Sequence, residues 1–183
     1  MAVVDGIITL DDARKSLGWA ATSTADDADL ETYIEAVTPV VERIVGPVIR
    51  RSKTYTVDGG RDVVLLPDAF STLSTVTVGG VPLAGCVADP DAGMVYAPEG
   101  TVFAGGRRSV VIVVTVGYEQ SDIPENIVLA AREIVRHLWQ VGRQGTRPKW
   151  GTEEAEGLVP SYFALPKRAE QLLAPHARAG GFA

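Results

Sequence analysis

Residues 124–141 constrain this chain more than any other stretch. At helical spacing Ile127, Ala131, Ile134, Leu138 and Val141 form one apolar stripe, and Val128, Val135 and Trp139 form a second about 100° further round. Such a helix carries more apolar surface than one short chain is expected to hide by itself. Ser121-Asp122-Ile123-Pro124 opens it, with Asp122 as cap and Pro124 in the first turn, where the missing N–H costs little. The narrow polar side holds Arg132, Arg136 and Arg143 within about 40° of one another. This basic line can face DNA, the carboxylates of a partner or plain solvent. His137 has no Cys or acidic neighbour at ligand spacing and reads as a packed or surface histidine.

Upstream, the apolar period identifies two more helices. Thr9-Leu10-Asp11-Asp12 reads as a helix start, with Thr9 capping and two aspartates at the positive end of the helix dipole. Leu10, Ala13 and Leu17 share one side and Gly18 stops the helix. Residues 20–28 lack any apolar period and read as a solvated, Asp-bearing linker. From Asp29 the apolar residues Leu30, Tyr33, Ile34, Val37, Val40, Val41, Ile44 and Val45 fall within an arc of about 140°, the mark of an amphipathic helix. Pro39 projects on its polar side, and Gly46-Pro47 ends it.

Between residues 48 and 118 the pattern changes to β-branched runs separated by turn chemistry. The expected strands are 48–57, 62–66, 73–78, 94–97 and 109–118. Asp58-Gly59-Gly60, Gly79-Gly80 and Gly105-Gly106 read as tight hairpin turns, because glycine accepts positive φ. Val110–Val116 is apolar on both faces apart from Thr115, as expected of a central strand covered on both sides. Residues 142–160 form a long polar connection, the kind of loop that is disordered or used for binding; Trp150 within it reads as an anchor for a partner. Glu153, Glu154 and Glu156 read as a solvated acidic cluster. A last helix is expected from Pro166 through Leu173, followed by a small-residue tail.

The fold class expected from this order is α+β: a helical core with an inserted antiparallel β-rich subdomain. The parts are 1–47 (N-terminal helices of the core), 48–120 (β-rich insertion), 121–165 (core helix and long loop) and 166–183 (C-terminal helix and arm).

The chemistry implied is sparse. Cys86 is alone among 183 residues and reads as a small half-buried apolar residue, and two histidines are too few for a structural zinc site. No phosphate-binding glycine loop and no nucleophile elbow occur. Neither a catalytic residue nor a cofactor or metal ligand is therefore assigned, and the chain is not expected to be an enzyme. A net charge of −6 argues against a protein whose main task is to neutralise nucleic-acid phosphates. The longest apolar runs, Val110–Val114 and Ile127–Ala131, are far short of the roughly 20 residues of a membrane span, and the start lacks signal-peptide character, so a soluble cytoplasmic product is expected.

The order of parts resembles the head-to-tail connector (adaptor, or head completion) proteins of long-tailed bacteriophages. The resemblance rests on Ile8–Leu17, on Leu30–Val37 after an Asp-rich linker, and on Val45-Gly46-Pro47. It continues through Val76–Leu83, Val114–Tyr118 just before Ile123–Ile127, and Leu165–Pro175. Their order and spacing together carry the likeness over most of the chain.

That resemblance implies a virion protein of the neck, assembled in a bacterial host cytoplasm. It implies a homo-oligomeric ring, usually of twelve, beneath the portal protein. Such a ring extends the channel for double-stranded DNA, without sequence-specific binding, and meets head-closure or tail proteins. In such a ring one stripe of the third helix would serve the subunit's own core and the other a neighbour, which makes Val128, Val135 and Trp139, with Trp150, the expected interface. The segment after Pro166 would be the portal-binding arm, through Lys167, Arg168, Leu172, Leu173, Arg178 and Phe182. Two other readings stay open: a head-closure or tail-completion subunit, and a ligand-binding or hydrolytic β domain with the 142–160 loop as lid.

Overall fold

A computed structural model of the chain describes residues 6–20, 22–143 and 165–178. It is a mixed α+β structure that divides into two compact units, one holding the described residues of Met1–Val45 and Ile123–Ala183, the other Gly46–Asp122.

The first unit is helical: α1 (Leu10–Ser16), α2 (Asp27–Val45), α3 (Glu125–Arg143) and α4 (Lys167–Leu173). Thr9 caps α1 in a reciprocal arrangement, its hydroxyl accepting from the Asp12 N–H at 3.1 Å while its own N–H donates to the Asp12 carboxylate at 3.2 Å. The apolar stripe of α2 is buried as its spacing predicts, through Leu30, Ile34, Val37, Val41 and Ile44. Thr38 is also buried there, and its hydroxyl is satisfied by the Ile34 carbonyl at 2.9 Å. Helix α3 packs against α1, α2 and α4 together, so three elements cover it. Pro124 precedes α3, and its carbonyl accepts from the Ile127 and Val128 N–H groups at 2.9 and 3.2 Å. A 3-10 turn, Gln120–Asp122, occupies the place where Asp122 was expected to cap.

The second unit holds two antiparallel sheets. One has the order β1 (Arg51–Val57), β7 (Val110–Val116), β3 (Thr72–Val78), β4 (Val81–Pro82); the other β2 (Val63–Leu65), β6 (Met94–Tyr96), β5 (Val87–Asp89). One face of β7, Val110, Ile112, Val114 and Val116, is fully buried and shares a core with Val64, Leu66, Phe70, Val76, Val95 and Phe103. The alternate residues Val111, Val113 and Thr115 are only half-buried, so β7 is central in its sheet but fully covered on one face, not on both as its run of valines suggested.

The turns divide. Gly79-Gly80, at φ +57° and +84°, closes the β3–β4 hairpin with Val78 opposite Val81. Asp58-Gly59-Gly60 is not a hairpin: β1 pairs with β7, Gly59 serves close approach, and Gly60 supplies a positive φ of +98°. The Gly59 N–H donates to the Gly106 carbonyl at 3.0 Å, and a Cβ at Gly59 would stand 2.0 Å from the Ala104 oxygen. Gly105-Gly106 is likewise no hairpin turn, since β6 and β7 lie in different sheets.

Candidate assembly surface

Val135 and Trp139 are buried within their own unit, and Val128 is half-buried. Trp139 meets Trp19 edge to face at a centroid separation of 4.8 Å and Tyr33 at 6.2 Å. The expectation that the second apolar stripe faces a neighbouring subunit is therefore corrected for Val135 and Trp139. Helix α1 and the segment after it, which carries Trp19, lie against α3 together with α2 and take up the stripe meant for a neighbour. Trp150 lies outside the described residues.

What α3 does expose is different. Leu129 and Val141 are large apolar side chains in solvent, interleaved with exposed Arg136 and Gln140. Leu129 belongs to neither stripe; its one sequence signal is an apolar residue at the wheel position of the arginine line. Val141 was expected to be covered as the end of the first stripe, and it stands in solvent instead.

The basic line is not uniform. Arg132 donates from Nη2 to Asp12 Oδ1 of α1, while its Nε is buried without a hydrogen bond. Arg136 is exposed, and the Arg143 side chain lies outside the described residues. Arg132 is thus partly neutralised by its own chain. Burial pushes the Asp12 carboxyl up, but the Thr9 hydrogen bonds and the Arg132 charge outweigh it and hold the group below its ordinary value. A second pair fixes α1 to the start of α2: Arg14 donates from Nε and Nη2 to the two oxygens of Asp27, at 3.0 and 2.5 Å. Asp27, expected in a solvated linker, is therefore a structural partner.

The C-terminal segment also divides. Lys167 and Arg168 are exposed in the first turn of α4, Leu172 is half-buried, and Leu173 is fully buried with Ala169. The Arg178 N–H donates to the Ile44 carbonyl at 3.0 Å. Leu173 is accordingly a core residue and not part of a free arm, because α4 packs on α2 and α3. Phe182 lies outside the described residues.

In the second unit Lys53, Tyr55 and Asp68 form a polar cluster that the sequence did not announce. Both Lys53 Nζ, at 2.5 Å, and the Tyr55 hydroxyl donate to Oδ2 of the buried Asp68. Burial opposes the Lys53 charge, yet its bonds to Asp68 and Tyr55 raise its pKa; burial and then the Asp68 bond raise that of Tyr55. With both donors on one carboxylate oxygen, the cluster fixes a loop to strand β1. Burial also pushes the Cys86 thiol up. Among the described residues no group of three His, Cys, Asp or Glu could hold a metal ion, and no helix is long and apolar enough to cross a membrane.

No family model matches the chain, and no curated protein matches it. Among solved structures it is similar to a chain in the neck of the empty GTA particle with C6 symmetry. The two share 20% identity and a TM-score of 0.64 over 98% of this chain and 93% of that one. It is also similar to a chain in the neck of the native GTA particle with C12 symmetry, at 16% identity and a TM-score of 0.63 over 95% and 94%. At these identities the likeness is one of fold, and it spans both units of the chain.

Proposed function

We propose that this chain is a structural subunit of a ring-shaped head-to-tail connector in the neck of a virion, joining the portal protein to tail or head-closure proteins. The observation that carries this reading is the fold shared, over nearly the whole length of both chains, with components of particle necks of C6 and C12 symmetry. Twelve copies form the ring. It extends a channel through which double-stranded DNA passes without sequence-specific contact, and a net charge of −6 suits a wall that must not grip phosphates. Arg136, exposed on α3, is the described residue of the basic line proposed to face a partner or the channel; Arg143 belongs to that line by sequence spacing alone. No catalytic step is assigned.

Portal attachment is proposed for the exposed cations Lys167 and Arg168, with Leu172 and Arg178 of the same segment. Deleting residues 166–183 is a poor test, because it removes the buried Ala169 and Leu173. Lys167→Glu with Arg168→Glu leaves the core intact and is expected to abolish co-purification with the portal. Retained co-purification counts against the assignment. For the ring itself, the chain co-expressed with its portal is imaged by negative stain; closed rings are expected, and a chain that stays monomeric beside an assembled portal overturns the reading.

A further inference from the structure

Two features of the second unit are unexplained by its own fold. The outer face of the three-stranded sheet is apolar: by register Val63, Tyr96 and Val87 form one row and Leu65, Met94 and Asp89 the next, while Val64 and Val95 point into the core. Leu65 is 65% exposed and Val87 62%, the reverse of what a solvent-facing row normally carries. Asp89 stands in the second row, and exposed Asp62 and Asp91 flank the strands in sequence with exposed Arg61 before Asp62, so this sheet carries three carboxylates against one guanidinium. On the other sheet, the β3–β4 hairpin presents exposed Val81 and Pro82, and the Gly79 N–H bonds the Ser109 carbonyl at 2.8 Å. That bond sets the exposed Arg107-Arg108 turn beside the hairpin. Asp58 accepts the Arg108 N–H at 2.6 Å, so this turn carries two guanidinium groups against one carboxylate; one surface is apolar with an excess of negative charge, the other apolar with an excess of positive charge.

We infer that the hairpin end of one copy, Val81-Pro82 with Arg107 and Arg108, docks on the Leu65–Tyr96–Val87 face of the next copy. The inference rests on the ring reading above and names one of its contacts. Charge selects this occupant. A face-to-face pair would bring its excess negative charge together, which like-charge repulsion disfavours. The hairpin end supplies opposite charge and a matching apolar tip, and a contact between two different surfaces propagates from copy to copy until it closes.

The test uses sedimentation velocity of the full chain over a concentration series, with circular dichroism to verify folding. Wild type is expected to self-associate, and more weakly at high salt. Arg107→Glu with Arg108→Glu, and separately Asp89→Arg with Asp91→Arg, are each expected to weaken association at least about tenfold. A one-to-one mixture of the two variants restores it, because each reversed surface then finds its complement. Leu65→Asp, at an exposed position, weakens association without a charge swap and cannot be rescued by mixing. Wild-type rings with undiminished assembly of all these variants overturn the docking inference and leave the ring reading standing. A wild type that is monomeric at every concentration and beside its portal overturns both.

Discussion

Arg132 of α3 bonds Asp12 of α1 across 120 positions of sequence, and Asp12 is at the same time the capping partner of Thr9. One carboxylate therefore starts a helix and ties it to another. Asp12→Ala removes the reciprocal cap and the ion pair together and is expected to cost about 1–2 kcal/mol, read as a lower midpoint in urea at neutral pH.

The same carboxylate gives a pH signature. Its folded-state pKa is held below the ordinary 3.8, so the folded chain binds this proton less tightly than the unfolded one. The stability it contributes is whole above the unfolded value and is lost as pH falls through the folded value. The gap in melting temperature between wild type and Asp12→Asn is thus expected to narrow from about pH 6 to about pH 3. A gap that stays constant shows that the carboxylate's charge contributes nothing.

The cluster at Asp68 works in the opposite direction. Lys53 and Tyr55 both have raised pKa values when folded, above 10.5 and 10.0, so both hold their protons more tightly in the native state. Their contribution is present below those unfolded values and declines as pH rises through the folded ones. Melting temperature is expected to drop above about pH 10, and Tyr55→Phe to reduce that slope while its tyrosinate absorbance step disappears. Asp68→Ala strands both donors and is expected to cost about 2 kcal/mol, less than a fully buried pair because the Lys53 ammonium reaches solvent.

Much of this architecture is legible in the sequence, and the failures share a physical cause. The periodicity of Leu30–Val45 and of Ile127–Trp139 reports helices because an apolar residue every third or fourth position repeats enough times to be read. Strands β4 and β5, at two and three residues, are too short to show any period. Asp58-Gly59-Gly60 has hairpin composition, but composition cannot say whether glycine is needed for its φ or for its missing side chain. For the candidate surface the limit is sharper: periodicity counts how many faces of α3 are apolar, not what covers each. Trp19 sits beyond the Gly18 stop and belongs to no stripe, so nothing in its spacing ties it to Trp139. The Lys53–Asp68 pair joins a strand to a loop, and the apolar rows of the three-stranded sheet come from register; neither shows in spacing along the chain.

Gly117 offers a backbone test of the second unit. Its φ of +81° is strained for any other residue, and a Cβ would stand 2.3 Å from the Ile49 oxygen and 2.5 Å from the Ile49 carbonyl carbon. Neither neighbour can move freely, since Ile49 bridges to Tyr118 and the Tyr118 N–H holds the Val48 carbonyl at 2.8 Å. At Gly80 the φ is similar, +84°, but the space is open. Gly80→Ala is expected to cost about 1–2 kcal/mol and Gly117→Ala clearly more, in equilibrium unfolding. Equal costs show that the Ile49 backbone yields.

Trp139 and Leu129 separate the core of α3 from its surface. Trp139 is enclosed by Trp19 and Tyr33 in its own unit, so Trp139→Ala opens a cavity and is expected to cost about 3–5 kcal/mol in the isolated chain. Leu129 is apolar and exposed, and Leu129→Ser is expected to leave unfolding within about 0.5 kcal/mol of wild type. The opposite outcome, a Trp139→Ala chain with unchanged melting but lost assembly, restores the second stripe as the subunit contact. Denaturant titration of the two purified variants, paired with sedimentation of each, decides between them: a side chain that stabilises the single copy cannot at the same time wait uncovered for the next one.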